Sequence, residues 1–348
     1  MPAKPIHILL FFACLFFGKK NLAQQLATDS VILQKQLPGK FKFFSIAPAP
    51  SFDKKRFWAM AGTGTAAYTG AAVVMWNAWY KDFPLTPFHT FNDMKEWSGM
   101  DKAGHLQAAH LETNFAFQGA LWTGMDRRKA MWAAAGVGLG VQTTIEIMDG
   151  FSEEWGFSVG DIGFNALGVG AFVAQELLWQ EQRVMMKVSS TRPDYSRAPI
   201  FSVDGGHQTS LYERADELYG SFPTEVFLKD YNAMTVWASV NLHAFMGERR
   251  KQHFPKWLNL AVGYGAGNIY GGFGNEWTDG DGVVFSLDEG AYPRYRQFYL
   301  SPDIDLSRIP TKHKWLKVML GVVNWIKVPA PALELRSDGG FRFHGFYW

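Results

Sequence analysis

The sequence predicts an α+β protein, with an N-terminal bundle of about four apolar, membrane-type helices and a C-terminal antiparallel β-rich domain that includes one amphipathic helix. Three observations predict this fold class. Long apolar segments with little interior charge fill residues 57–179. After residue 233 the apolar residues recur with a period of two, which is typical of half-buried strands. Aromatic residues make up 16% of the chain, and this richness indicates contact with a membrane or an interface.

Residues 1–23 are predicted to be a secretory signal peptide. Lys4 precedes the apolar run Ile8–Phe17, and Ala23 precedes a plausible cleavage site before Gln24. The only cysteine, Cys14, lies inside this segment, so we expect neither disulfides nor a thiolate metal site in the mature chain. Residues 24–56 contain several prolines and are interpreted as a linker.

Residues 57–188 are predicted to form the helical bundle. Phe57–Tyr80 contains no charged residue, and at about 1.5 Å per residue it is long enough to cross a ~30 Å hydrocarbon layer. Three further helices of similar length are predicted at Ala103–Met125, Ala130–Met148 and Ile162–Trp179. The alternative is a water-soluble bundle with an alanine-rich core.

Residues 189–232 are predicted to be a linker with short helices, and residues 233–348 to be the β domain. Its strands are expected at Val236–Phe245, Trp257–Tyr264 and Tyr295–Leu300, with a hairpin at Leu333–Trp348. Residues 315–326 have helical periodicity instead. Two arrangements stay open for these strands: a closed barrel, or an open sheet packed on the helices.

The polar residues of the predicted helices are spaced to share one face in each helix. They are Asp101, His105 and Glu112 in the first helix, Gln142, Glu146 and Asp149 in the second, and Asp161, Asn165 and Gly168 in the third. If antiparallel helices are joined by short loops, the start of the first, the end of the second and the start of the third lie together. We therefore expect a single polar cluster at one end of the bundle.

This cluster has two interpretations. As a reactive site, the candidate catalytic residues are His105, Glu146 and Asp161, and the candidate binding residues are Asp101, Lys102, Asp149 and Asn165. A histidine beside carboxylates suits acid–base chemistry, and a lysine near helix N-termini suits an anion. As a structural network, Ser98 and Ser158 would cap helices, each with the aspartate three residues later, and the other groups would fix the helix register. Neither Glu-x-x-His nor His-x-x-x-His occurs, so no metal is predicted, and no cofactor.

Several segments of the chain resemble a known family. They are Phe91-Asn-Asp-Met-Lys-Glu-Trp97, Asp101-Lys102-x-x-His105, Glu146 to Ser158, Gly160-Asp161-x-x-x-Asn165, Leu228-Lys-Asp-Tyr-Asn232 and Pro329 to Leu333. The sequence is similar there to the YfiM-type family of predicted periplasmic lipoproteins, an exported domain of unknown function. The order of Asp101, Lys102, His105, Glu146, Asp161, Asn165 and Gly168 more distantly resembles VanZ-like membrane proteins.

The predicted function is that of an exported, membrane-associated cell-envelope protein with a structural or binding role. The alternative is a hydrolase or transferase that acts on a lipid headgroup or a cell-wall glycan. The expected partners are membrane lipid and an anionic headgroup or glycan. A net charge of +2, without a basic stripe, argues against a nucleic-acid partner. The outer membrane or the periplasm is favoured over the inner membrane, because a cleaved signal peptide implies export.

Overall fold

The structure is a computed structural model that describes residues 46–76, 80, 84–221, 226–227 and 229–348. The predicted signal peptide and most of the predicted linker 24–56 lie outside these residues. The described part of the chain begins with four long helices: α1 (Lys54–Met75), α2 (Met100–Trp122), α3 (Arg127–Gly150) and α4 (Val159–Trp179). The strands and shorter helices follow in the second half.

Short polar side chains define where three of the long helices begin. Asp53 caps α1 and Asp126 caps α3, each by accepting two backbone N–H groups of the first turn. Ser158 caps α4, as predicted, because its Oγ accepts the Asp161 N–H at 3.0 Å. The cap predicted at Ser98 is wrong. Gly99 precedes α2 with φ 79°, a left-handed conformation that glycine adopts without strain, and no side chain caps this helix.

Helix α2 lies at the centre of the helical region and packs against α3 and α4. Close approach depends on two glycines. A Cβ added to Gly168 would collide with the carbonyl oxygen of Leu106, and one added to Gly138 would collide with the Thr113 side chain. The polar side chains of α2 are consequently held close to those of its two neighbours.

The second half of the chain is dominated by one antiparallel six-stranded sheet with the order β1-β4-β5-β8-β9-β10. Its strands are β1 (Val184–Ser190), β4 (Met234–Asn241), β5 (Leu258–Gly267), β8 (Tyr295–Ile304), β9 (Ala330–Arg336) and β10 (Phe341–Tyr347). Two small hairpins accompany it, formed by β2 (Ile200–Phe201) with β3 (Gln208–Thr209) and by β6 (Glu276–Thr278) with β7 (Val284–Ser286). The helices here are α5 (Leu211–Tyr219), α6 (Glu248–Lys251) and α7 (Lys314–Val322).

The predicted order of a helical region followed by an antiparallel sheet is confirmed. The prediction of about four membrane-type helices is wrong. Within the described ranges, α4 alone is long and apolar enough to cross a membrane on the criteria of length and composition. The reason is compositional: α2 carries Asp101, Lys102 and Glu112 among other polar groups, and α1, although it has no charge after Arg56, is rich in glycine and threonine.

The helices and the sheet share a hydrophobic core. It includes Leu111 and Phe115 from α2, Leu218 from α5 and Val236 from β4. The predicted division at residues 189–232 stays a prediction. Residues 184–188 were predicted to belong to the bundle and residues 189–190 to the linker, but together they form β1 and pair with β4 along the whole strand.

The two faces of the sheet differ in polarity. The buried face carries polar groups, with a Lys187–Asp303 ion pair of 2.7 Å and the Ser239 hydroxyl 2.6 Å from the same aspartate, beside an apolar cluster that includes Trp237 and Tyr299. The outward face exposes large apolar side chains on four neighbouring strands: Leu260, Val262, Phe298, Leu300, Leu333, Leu335, Phe341 and Phe343. The same face packs against the helices at β1 and β4, where Val188 and Val236 are buried, and it is exposed on β5, β8, β9 and β10.

Candidate functional site

A buried lysine lies at the centre of the candidate site. The Lys102 ammonium is 2.6 Å from Asp161 Oδ1, 2.7 Å from Asp93 Oδ1 and 3.0 Å from Asp101 Oδ2. All four side chains are almost inaccessible to solvent. A buried ammonium requires compensating charge, and three carboxylates supply it from α2, α4 and the loop that precedes α2.

His105, one turn after Asp101 on α2, lies beside this ion cluster. Its Nε2 is 3.4 Å from Asp161 Oδ1, 3.5 Å from Glu146 Oε1 and 3.9 Å from Asp101 Oδ1. Its Nδ1 is 3.1 Å from Asn165 Oδ1. The imidazole therefore lies between side chains from α3 and α4, because the helix ends meet as their antiparallel order requires.

The N-terminus of α4 links the remaining carboxylates. The backbone N–H of Ser158 donates to Glu146 Oε2 at 3.2 Å, while the Ser158 hydroxyl donates to Asp93 Oδ1 at 2.5 Å. The same hydroxyl accepts the N–H of Asp161. One serine thus caps α4 and also connects α3 to the loop that carries Asp93.

Two tyrosines extend the cluster beyond the three helices. Tyr231, just before β4, donates to Asp101 Oδ1 at 3.3 Å, and Tyr80 donates to Asp149 Oδ1 at 2.7 Å. Burial, followed by the nearby carboxylates, raises the pKa of both phenols well above the usual value. Both therefore remain neutral donors.

The charges of the cluster favour the protonated lysine. Burial by itself lowers the pKa of Lys102, but the carboxylates of Asp101 and Asp161 outweigh it and raise that pKa above its usual value. Three of the four neighbouring carboxylates, Asp93, Asp101 and Asp161, share this ammonium. Lys102 therefore remains charged in the folded protein.

The structure brings together all seven predicted site residues, although Asp149 lies at the edge and hydrogen-bonds to Tyr80. Glu112, predicted to share the face of His105, forms a separate pair further along α2 with Gln142 Nε2 as donor at 2.9 Å. Sequence reasoning assigned no role to Asp93 and Tyr231. Both lie in segments that resemble the family named above, so this resemblance was the sequence signal that could have identified them.

Three of these residues are close enough to share a cation. One ligand atom each from Asp101, His105 and Asp161 lies within 4.8 Å of the others. The Lys102 ammonium already lies 2.6 Å from Asp161 and supplies positive charge at this position. The prediction of no metal and no cofactor stays a prediction.

Comparison with known proteins gives one match. Residues 90–176 match the model of a family described as predicted periplasmic lipoprotein, a domain of unknown function (DUF2279). The matched segment contains every member of the cluster except Tyr80 and Tyr231. No curated protein and no solved structure matches the chain. The match supports an exported, cell-envelope location, while the resemblance to VanZ-like proteins stays a prediction.

Proposed function

We propose that this is an exported, membrane-associated protein of the cell envelope, with a structural or binding role. The observation that carries the proposal is the inverted polarity of α4. Its polar side chains, Asp161, Asn165, Gln175 and Glu176, are all buried, whereas its fully exposed positions are valine, leucine, alanine and glycine. A helix on the surface of a soluble protein has the opposite arrangement.

Helix α3 and the sheet support the same proposal. The exposed residues in the interior of α3 are apolar, including Trp132, Val137 and Ile147, while Gln142 and Glu146 are buried. The sheet also buries charged side chains such as Lys187 and Asp303 on one face, while β5, β8, β9 and β10 expose large apolar side chains on the other. Exposed apolar patches of this extent mark interaction with a membrane or a partner.

A lysine substitution on the exposed apolar face of α4 tests the membrane association. Leu167, in the middle of α4, is 58% exposed. In water, Leu167→Lys should change stability by less than about 0.5 kcal/mol. In contact with hydrocarbon the charge costs roughly 2.5–3.5 kcal/mol, so the variant should be released from membranes more easily.

The assay is retention on lipid vesicles and in the envelope fraction. Val203→Lys is the matched control, because Val203 is also exposed but lies in the loop between β2 and β3. Equal retention of the wild type and of both variants would contradict the proposed membrane contact of α4.

For the cluster we propose a structural role in holding the helices and the sheet in register. Full burial and the number of connected elements support this role. The second candidate is a hydrolase or transferase acting on a lipid headgroup or a cell-wall glycan. His105 favours it, because an imidazole within 3.5 Å of two carboxylates is suited to proton transfer.

Two substitutions at His105 separate these roles. His105→Ala should destabilise the protein by about 1–3 kcal/mol in the structural case, because buried partners lose a hydrogen bond. His105→Gln keeps a polar group that bonds Asn165 but cannot transfer protons at neutral pH. Envelope integrity at permissive temperature should therefore survive His105→Gln. If His105→Gln melts at the wild-type temperature but envelope integrity is lost, the result would instead support a hydrolase or transferase.

A further inference from the structure

A large cavity lies between α1, α2 and α3, away from the ion cluster. Its volume is about 600 Å³, within the ~300–1,000 Å³ range of ligand sites. The wall is almost entirely small or apolar, with Gly64 on α1, Phe115 and Ala116 on α2, and Gly136 and Val137 on α3. At about 30 Å³ for each water-sized group, this space holds roughly twenty heavy atoms, enough for one hydrocarbon chain.

One carboxyl group forms the polar end of this cavity. Glu112 is 6% exposed and lines the cavity wall. Its Oε1 accepts a hydrogen bond from Gln142 Nε2 at 2.9 Å. Its Oε2 is buried and has no hydrogen-bond partner in the part of the chain that the structure describes. A buried polar atom left without a partner is costly, which favours a ligand group as its partner; because almost none of the Oε2 surface is accessible, the Glu112 side chain must turn toward the cavity to reach that group.

The protonation state of Glu112 favours a ligand group that accepts a hydrogen bond. Burial raises the pKa of Glu112 to about 8, although the bond from Gln142 opposes the shift. The carboxyl group is therefore mostly protonated at pH 7. Because Oε1 already accepts from Gln142, the proton belongs on Oε2, which then acts as a donor.

We propose that this cavity binds a single long-chain fatty acid, with the hydrocarbon chain along α1 and α3 and a carboxyl oxygen accepting a hydrogen bond from Glu112 Oε2. The proposal deepens the binding role proposed above, since it names the ligand class. A chain can enter from the side because Val137, on the cavity wall, is 49% exposed on the same apolar surface of α3. Two-chain lipids are too large for the space.

Paired glycine variants on α1 test the proposal. An added side chain at Gly64 meets no atom within 4 Å of its Cβ, so Gly64→Leu should fill the cavity without disturbing the fold. Gly62 is equally open but does not line the cavity, so Gly62→Leu is the matched control. Leucine has a higher helix propensity than glycine, so both variants should keep α1 helical.

The measurement is saturation binding of radiolabelled palmitic acid to the purified full-length chain in detergent. We expect one palmitate per chain, at least tenfold weaker binding in Gly64→Leu and Glu112→Met, and unchanged binding in Gly62→Leu. Hexadecylamine, which has the same chain but a cationic end, should compete poorly. No palmitate binding by the wild type, equal effects of the two glycine variants, or preference for the amine would overturn the proposal.

The palmitate-binding test and the membrane-retention test can fail independently of each other. A chain that stays on membranes but binds no palmitate contradicts the fatty-acid site alone. A chain that binds palmitate while its membrane retention is insensitive to Leu167→Lys contradicts the membrane contact of α4 alone.

Discussion

Replacing Lys102 by methionine should strongly destabilise this protein. The substitution keeps a long, flexible side chain but removes an ammonium that lies within 3.0 Å of Asp93, Asp101 and Asp161. At an effective dielectric constant near 20, each contact is worth about 5–6 kcal/mol before the cost of desolvation. Breaking a single buried ion pair costs a net ~3–5 kcal/mol, because the remaining charge is left buried and uncompensated.

Here three carboxylates lose one shared cation, so we expect Lys102→Met to cost at least about 3–5 kcal/mol. Domains of ordinary size unfold with only ~5–15 kcal/mol, so this loss is a large fraction of the total stability and should lower the denaturation midpoint clearly. The assay is chemical denaturation in detergent, followed by tryptophan fluorescence. Lys129→Met, at an exposed position near the start of α3, is the control and should change stability by less than about 0.5 kcal/mol.

A double variant tests the electrostatic explanation. Adding Asp161→Asn to Lys102→Met removes one of the stranded charges, so the pair should lose about 1–3 kcal/mol less than the two single effects added together. Strict additivity would contradict a direct interaction. If Lys102→Met proved no more destabilising than Lys129→Met, the ion cluster would not hold the helices together, and the proposed structural role would fail.

Three further predictions follow from the structure. The folded protein retains the Glu112 proton up to about pH 8, whereas an unfolded glutamate loses it near pH 4.5. The free energy of unfolding contributed by Glu112 should therefore fall by a few kcal/mol as pH rises between these values. Glu112→Gln should remove this fall in denaturation curves measured from pH 5 to 9. Gly168→Ala should destabilise by about 1–3 kcal/mol because its Cβ would collide with α2, whereas Gly170→Ala, in open space, should not, and equal melting temperatures would contradict this packing. If the signal peptide is removed, mass spectrometry of the envelope protein should find a chain that begins at or near Gln24; an N-terminus at residue 1 would contradict export by cleavage.

Much of the fold was predictable because its signals are local. Long apolar runs with few charges predicted the long helices, and alternation predicted β5, β8 and the final hairpin, which turns at Gly339 with φ 88°. Strand β1 was missed because it follows α4 closely and carries Lys187 at an inward position. That lysine is tolerated through its ion pair with Asp303, more than a hundred residues away, which no local pattern reveals.

The candidate site shows the same limit. Helical spacing was sufficient to group His105, Glu146 and Asp161, because each lies near a helix end. It could not place Asp93 or Tyr231, which reach the cluster from irregular segments. The capping pattern worked at Ser158 and failed at Ser98, where the chain takes a left-handed turn at φ 54° and the Ser98 carbonyl accepts from Tyr264 instead.

The position of the cluster explains why so many charges are buried there. The loop before α2 reaches the segment between β5 and β6 through the Trp97 N–H, which donates to the Gly272 carbonyl at 2.7 Å, and Tyr231 connects Asp101 to the start of β4. If the outer faces of α3, α4 and the sheet contact lipid, burial of apolar area cannot choose between helix–helix and helix–lipid contacts. Directional interactions must then specify which helix faces meet. Lys102 and its three carboxylates are well suited to this purpose, because any change of helix register would leave a charge buried and unpaired.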